Sequence, residues 1–144
     1  MTVLALDLGT RTGWAVSGGP SGVQSFATAD RVTDTARHGR LFWRFGGWVG
    51  DMIVTYRPSV GVIEEMVGRS LKGNGGRVLL GMRATALAVL RGHDVLTEEV
   101  NKGTWQEWVR RAGYDWVKGD QADAKAMLAY WLAERADLVV GDAA

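Results

Sequence analysis

A change of hydrophobic period near residue 33 restricts this chain to a small set of architectures. Before it, three short segments of β character, residues 2–8, 13–17 and 23–28, follow one another closely. Gly9-Thr10 and Gly18-Gly19-Pro20-Ser21-Gly22 supply turn chemistry between them, and linkers this short predict an antiparallel meander. After it, Leu41, Phe42, Phe45, Trp48, Val49, Met52, Ile53 and Tyr56 recur at helical spacing. They predict a helix over residues 33–57, stopped by Pro58. A short apolar strand at Val60–Glu64 comes next, then a glycine-rich basic loop over residues 68–76. A helix at 78–90 closed by Gly92, a strand at 94–97, and helices at 103–112 and 121–136 complete the chain. The order β-β-β-α-β-α-β-α-α contains no repeat and no long linker. It predicts an α/β fold, a mixed five-stranded sheet flanked by helices, in a single domain over residues 1–144.

Composition removes several chemistries. Cys is absent, so disulfides, thiolate nucleophiles and cysteine-based zinc sites are excluded. His38 and His93 are the only imidazoles. Any metal site would be built mainly from carboxylates, and oxygen donors favour Mg²⁺ or Mn²⁺ over Zn²⁺. The longest uncharged stretch, residues 12–29, is rich in Gly, Ser and Thr and holds a Pro, which is unsuited to spanning a membrane. The N-terminus runs directly into an apolar strand containing an acid and carries no secretion signal, so a cytoplasmic, membrane-free protein is expected.

The net charge of +1 conceals an asymmetry. Residues 1–93 hold 11 basic against 6 acidic side chains, whereas residues 94–144 hold 6 against 10. Between Met66 and His93 stand Arg69, Lys72, Arg77, Arg83 and Arg91 with no acid among them. A solvated surface loop accounts for such a run as readily as a phosphate-binding one. Its position decides between them, because it begins just after a pair of acids.

Those acids carry the chemistry. Asp7 ends the apolar run Val3-Leu-Ala-Leu6, and Glu64 and Glu65 end the run from Val60. A carboxylate inside an apolar strand is costly to bury without compensation. Should the two strands be neighbours, their acids converge, and a divalent cation is the natural relief for the repulsion. Asp7 could instead form an Asx-type turn with Gly9 and Thr10 while the glutamates face solvent. The basic loop beside the pair favours a metal site.

The segment Leu4-Ala-Leu-Asp-Leu-Gly-Thr-Arg-Thr-Gly-Trp-Ala-Val16 resembles the first strand and hairpin of the RuvC branch of the RNase H-like nucleases. Val62-Ile-Glu-Glu-Met-Val67 resembles the second motif of that family, and Leu80-Gly81-Met82-Arg83 the start of its following helix. Gly119-Asp-Gln-Ala-Asp-Ala-Lys125 resembles the lead into the penultimate helix, and Gly141-Asp-Ala-Ala144 the opening of the last Asp-x-x-Asp motif. The resemblance implies an RNase H-like fold and a Holliday-junction resolvase, with short bacteriophage members among its nearest analogues. It makes Asp7, Glu64 and Asp142 the catalytic metal ligands, with Glu65 and Asp123 as alternatives. Asp120 and Asp123 are also explained as N-cap and first-turn acids of a helix.

The implied chemistry is phosphodiester hydrolysis with two Mg²⁺ or Mn²⁺ ions, bridged by Asp7 and roughly 3.5–4 Å apart. Arg69, Lys72, Arg77 and Arg83 would hold DNA phosphates. Two departures stand out. The fourth acid of the family pattern would fall at position 145, so the last helix would be cut short. Val67 also occupies the place where resolvases often carry an aromatic. The resemblance also implies a homodimer, because resolvases of that family act as dimers on a two-fold symmetric junction, with the long helix as the expected contact. Trp43 and Trp48 lie on that helix, Trp105, Trp108 and Trp131 on later ones, and core or interface is the expected place for each, as core is for Trp14. Competing readings are a YqgF-type RNA-processing nuclease, which lacks an Ile-Glu-Glu motif, and a non-catalytic branched-DNA-binding protein of the same fold. The actin and sugar-kinase superfamily shares the Asp-x-Gly-Thr opening but needs two domains, too many for 144 residues.

Overall fold

The computed structural model describes residues 1–27, 34–66 and 72–135. Its elements run β1 (Val3–Asp7), β2 (Arg11–Val16), β3 (Ser21–Ser25), α1 (Asp34–Tyr56), β4 (Val60–Glu64), α2 (Gly73–Gly92), β5 (Leu96–Val100), α3 (Lys102–Ala112) and α4 (Asp120–Glu134). The five strands form one sheet in the order β3-β2-β1-β4-β5. The meander β1-β2-β3 is antiparallel, whereas β4 and β5 join β1 in parallel. The mixed five-stranded sheet and the element order match the sequence expectation.

Side-chain alternation along the strands sorts the interior into two layers. Leu4, Leu6 and Ile63 face α1 and α2, where Leu41, Phe45, Val49, Met82, Ala86 and Leu90 close over them. Val3, Ala5, Val60 and Val62 face α3 and α4, meeting Trp105, Val109, Ala124, Met127 and Trp131. Both faces of the central strands are thus covered, which is why β1 and β4 read as continuous apolar runs. Trp14, predicted as core, is partly buried and packs against the α1 side, beside Tyr56. No described helix is long and apolar enough to cross a membrane.

Several boundaries differ from expectation for physical reasons. Strand β3 begins at Ser21 and ends at Ser25, because Ser21 pairs with Ala15 and draws the end of the predicted loop into the ladder. Helix α2 starts at Gly73, inside the predicted glycine loop: the apolar face of Met82, Ala86 and Leu90 anchors it, and Gly76 is already buried. Tertiary packing here outweighs the poor helix propensity of glycine. Strand β5 begins two residues late, since Asp94 turns the chain at φ 57°, and it extends through Glu98 and Glu99 by pairing with β4. Gly119, not Asp120, is the N-cap of α4, leaving Asp120 in the first turn, where it lies 3.5 Å from Arg11.

The start of α4 presses directly onto β2. A Cβ at Gly13 would lie 1.8 Å from the Asp120 carbonyl oxygen, so only glycine allows the approach. Gly13→Ala should therefore lower stability by about 1–3 kcal/mol or more, read as a lower melting temperature. Gly47→Ala is the contrast: a Cβ there meets nothing within 4 Å in mid-helix, and the change should add about 0.5–1 kcal/mol.

Candidate active site

The site lies where the parallel strands end. Leu6 pairs with Ile63, so the next residues, Asp7 and Glu64, stand side by side on adjacent strands about 4.8 Å apart. They continue the alternation Val3, Ala5, Asp7 and Val60, Val62, Glu64, and therefore face the α3–α4 layer. That placement is the usual one for function in α/β folds, outside the carboxyl ends of parallel strands.

Three further elements reach the same place. Strand β5 brings Val100 opposite Glu64, so α3 begins beside the acids with Lys102 in its first turn. Asn101 caps α3 by accepting from the Thr104 N–H at 3.1 Å. From that helix the buried Trp105 Nε1 donates to Glu64 Oε2 at 3.0 Å. Asp123, buried on the first turn of α4, accepts at Oδ1 from Trp116 Nε1 at 2.9 Å and from the Gly119 N–H at 3.3 Å.

The electrostatics reflect crowding of like charge. Burial pushes the Asp7 carboxyl from its ordinary 3.8 to about 7, helped by Glu64, then Asp123 and Asp120, with Lys102 opposing. Glu64 is raised as well, mainly by burial and further by Asp123, while the Trp105 hydrogen bond and Lys102 hold it down. Two neighbouring acids that both resist ionisation make this end of the sheet a candidate functional site.

Among the described residues, no three acids or imidazoles already stand close enough to cage an ion. The donor set nonetheless suits one. Asp7, Glu64 and Asp123 offer oxygen atoms alone, which matches Mg²⁺ or Mn²⁺ chemistry. Divalent charge would offset the repulsion now carried by the raised Asp7.

The other sequence candidates among the described residues are dispersed. Asp142 and Arg69 lie outside the described residues. The Glu65 backbone N–H donates to Val100 O at 2.7 Å, and its carboxylate accepts from Asn101 at 3.5 Å. Lys72 is the N-cap of α2 and lines a groove of about 570 Å³ with Gly9, Thr10, Arg37, His38 and Asn74. Arg77 is exposed on α2, while Arg83 is held by the Glu99 carboxylate. Lys102, Trp105 and Trp116 were not singled out from the sequence as site residues. A signal existed for the first two, since a strand parallel to β4 must deliver its following helix to the Glu64 end.

No family model matches the chain, and no curated protein matches it in sequence. Solved structures do. A structure titled "T. thermophilus RuvC in complex with Holliday junction substrate" aligns with TM-score 0.70 at 14% identity, covering 93% of this chain and 95% of that one. "Thermus thermophilus RuvC structure" aligns with TM-score 0.63 at 18% identity, covering 94% of this chain and 97% of that one. The chain therefore has the RNase H-like fold of RuvC.

The raised Asp7 makes stability depend on pH. Between 3.8 and about 7 the folded protein holds a proton that the unfolded chain has released. The stability due to this group is complete below that window and lost as pH rises through it. In chelator at pH 8, Asp7→Asn should thus be more stable than the parent by on the order of a few kcal/mol, read as a higher melting temperature. Mg²⁺ should raise the melting temperature of the parent and leave the variant unmoved.

Proposed function

We propose that this chain is a divalent-metal-dependent endodeoxyribonuclease that resolves four-way DNA junctions. The observation that carries the proposal is the adjacency of Asp7 and Glu64 at the ends of β1 and β4, with the buried Asp123 of α4 acting on both, in a sheet with the RuvC fold. A solved neighbour with that fold is described as bound to a Holliday junction.

In this reading Asp7, Glu64 and Asp123 hold Mg²⁺ or Mn²⁺, one ion or two. Bound there, the metal supplies the charge that attracts a phosphodiester and makes water a stronger acid. The roles of the residues follow from their positions. Asp7 would be the central ligand, because it ends the middle strand of the sheet directly beside Glu64. Glu64 is kept available for metal by the Trp105 hydrogen bond, which disfavours its protonation. Lys102, the cation acting on both strand acids, would draw the scissile phosphate toward them. Lys72, beside the groove that begins at Gly9 and Thr10, would hold a neighbouring backbone phosphate. Asp142 remains a candidate additional ligand from the sequence.

A symmetric junction needs two cuts, which implies a homodimer. The outer face of α1 supports that arrangement, with Trp43 83% and Val54 64% exposed.

Cleavage of a labelled immobile four-way junction, beside linear duplex of the same sequence, tests the proposal. Paired symmetric nicks in Mg²⁺ or Mn²⁺, absent in chelator, are expected. Glu64→Gln should slow cleavage about 10²–10³-fold, as for loss of one preorganised charge-stabilising group, and leave junction affinity in place. Equal cutting of both DNAs would overturn the junction assignment. Tight junction binding without nicks in any metal would identify a non-catalytic binder.

A further inference from the structure

Two site acids share a type of partner that metal binding alone does not require. Glu64 accepts from Trp105 Nε1 at 3.0 Å, and Asp123 accepts from Trp116 Nε1 at 2.9 Å. The two indoles also pack on each other edge to face, with ring centroids 5.5 Å apart at 86°. Trp105 is fully buried and is the fourth residue of α3, its backbone N–H donating to Asn101 O at 3.1 Å. Trp116 belongs to the connection that delivers α4.

The choice of donor is informative. An indole N–H is neutral and cannot accept, so it pins one carboxylate oxygen without cancelling its charge or competing as a ligand. A lysine or arginine in the same place would neutralise the acid and oppose a cation. The chain provides its own contrast at Glu98. There Trp131 Nε1 donates at 2.7 Å, and Arg135 adds a guanidinium at 3.2 Å. On Asp123 the Trp116 and Gly119 bonds both go to Oδ1, so Oδ2 stays outside them. On Glu64 the indole takes Oε2, and Oε1 stays outside that bond.

We infer that Trp105 and Trp116 are positioning residues, a mutually packed pair of neutral donors that orients Glu64 and Asp123 so that one oxygen of each faces the metal. The inference rests on the nuclease reading of this site. Each ring ties an acid on one element to a second element: β4 to α3, and α4 to the connection before it. The rings pack edge to face, so each indole is held beside the other with its N–H on its own acid.

The test titrates Mn²⁺ alone into the full chain, with free Mn²⁺ read by electron paramagnetic resonance, and then measures junction cleavage. Trp105→Phe and Trp116→Phe keep a ring and remove the N–H. Each should weaken Mn²⁺ binding and lower kcat by about 10–100-fold, the usual effect of removing a partner that orients a metal ligand, with the junction KM unchanged. Trp131→Phe, which loses an indole–carboxylate bond at Glu98, should match the parent in both. In a Glu64→Ala background, Trp105→Phe should cost no further Mn²⁺ affinity, whereas general damage to the core would still weaken it. Benzothienylalanine at position 105, shaped like Trp but without the N–H, should reproduce Trp105→Phe if packing is not the cause.

Parent-like Mn²⁺ affinity in the Phe variants, or an added loss in the Glu64→Ala background, would overturn the inference. If the parent binds Mn²⁺ but does not cut junctions, the nuclease reading fails while the titration still decides the positioning role. A parent that binds no Mn²⁺ would overturn both.

Discussion

Two carboxylates held side by side at the ends of β1 and β4 set the terms for the rest of this structure. The register that pairs Leu6 with Ile63 holds the backbones of Asp7 and Glu64 side by side. Burial makes the conflict worse, as the raised Asp7 carboxyl records. Such a pair survives only if the surrounding structure determines it and something compensates for it. Lys102 compensates in part, and the indole of Trp105 does so without adding charge. The remaining repulsion is what a divalent cation would offset.

The two layers of the core divide the work. The α1–α2 side is a hydrophobic frame that fixes strand order and register. The α3–α4 side is also apolar near the middle of the sheet, but at one end it changes to indole donors, a lysine and Asp123. Gly13 links the two, because its missing Cβ lets the first turn of α4 approach β2 and carries Asp123 to the strand ends. A packing requirement and a site requirement are thus met by one residue.

The strand acids were legible because each interrupts an apolar run, and an acid at the end of a buried strand has few structural explanations. Asp123 was harder to place. Its residue type at the start of a helix serves dipole and capping roles equally well, and it does accept from the Gly119 N–H. A second bond, to Trp116, and its action on Asp7 separate the roles, and both depend on contacts that no local pattern encodes. Trp105 was hidden for the same reason, since an aromatic at helical spacing reads as core, and Trp116 lies in a connection that offers no spacing to read. Glycine misled at residues 73–76, where packing of the downstream helix outweighed local preference. Glu98 and Glu99 misled at β5, whose pairing with β4 held a strand that local composition disfavours.

The central claim, that Asp7, Glu64 and Asp123 together hold the cation, is tested most directly by putting a reporter metal there. Fe²⁺ in place of Mg²⁺, with ascorbate and peroxide, generates radicals that cut the backbone near the bound ion. Cuts are expected at the end of β1, the end of β4 and the start of α4, with Mg²⁺ suppressing them. Cuts at the two strand ends without one at the start of α4, or cuts confined to residues 141–144, would contradict the assignment of Asp123. No cut that Mg²⁺ suppresses would contradict the metal site altogether.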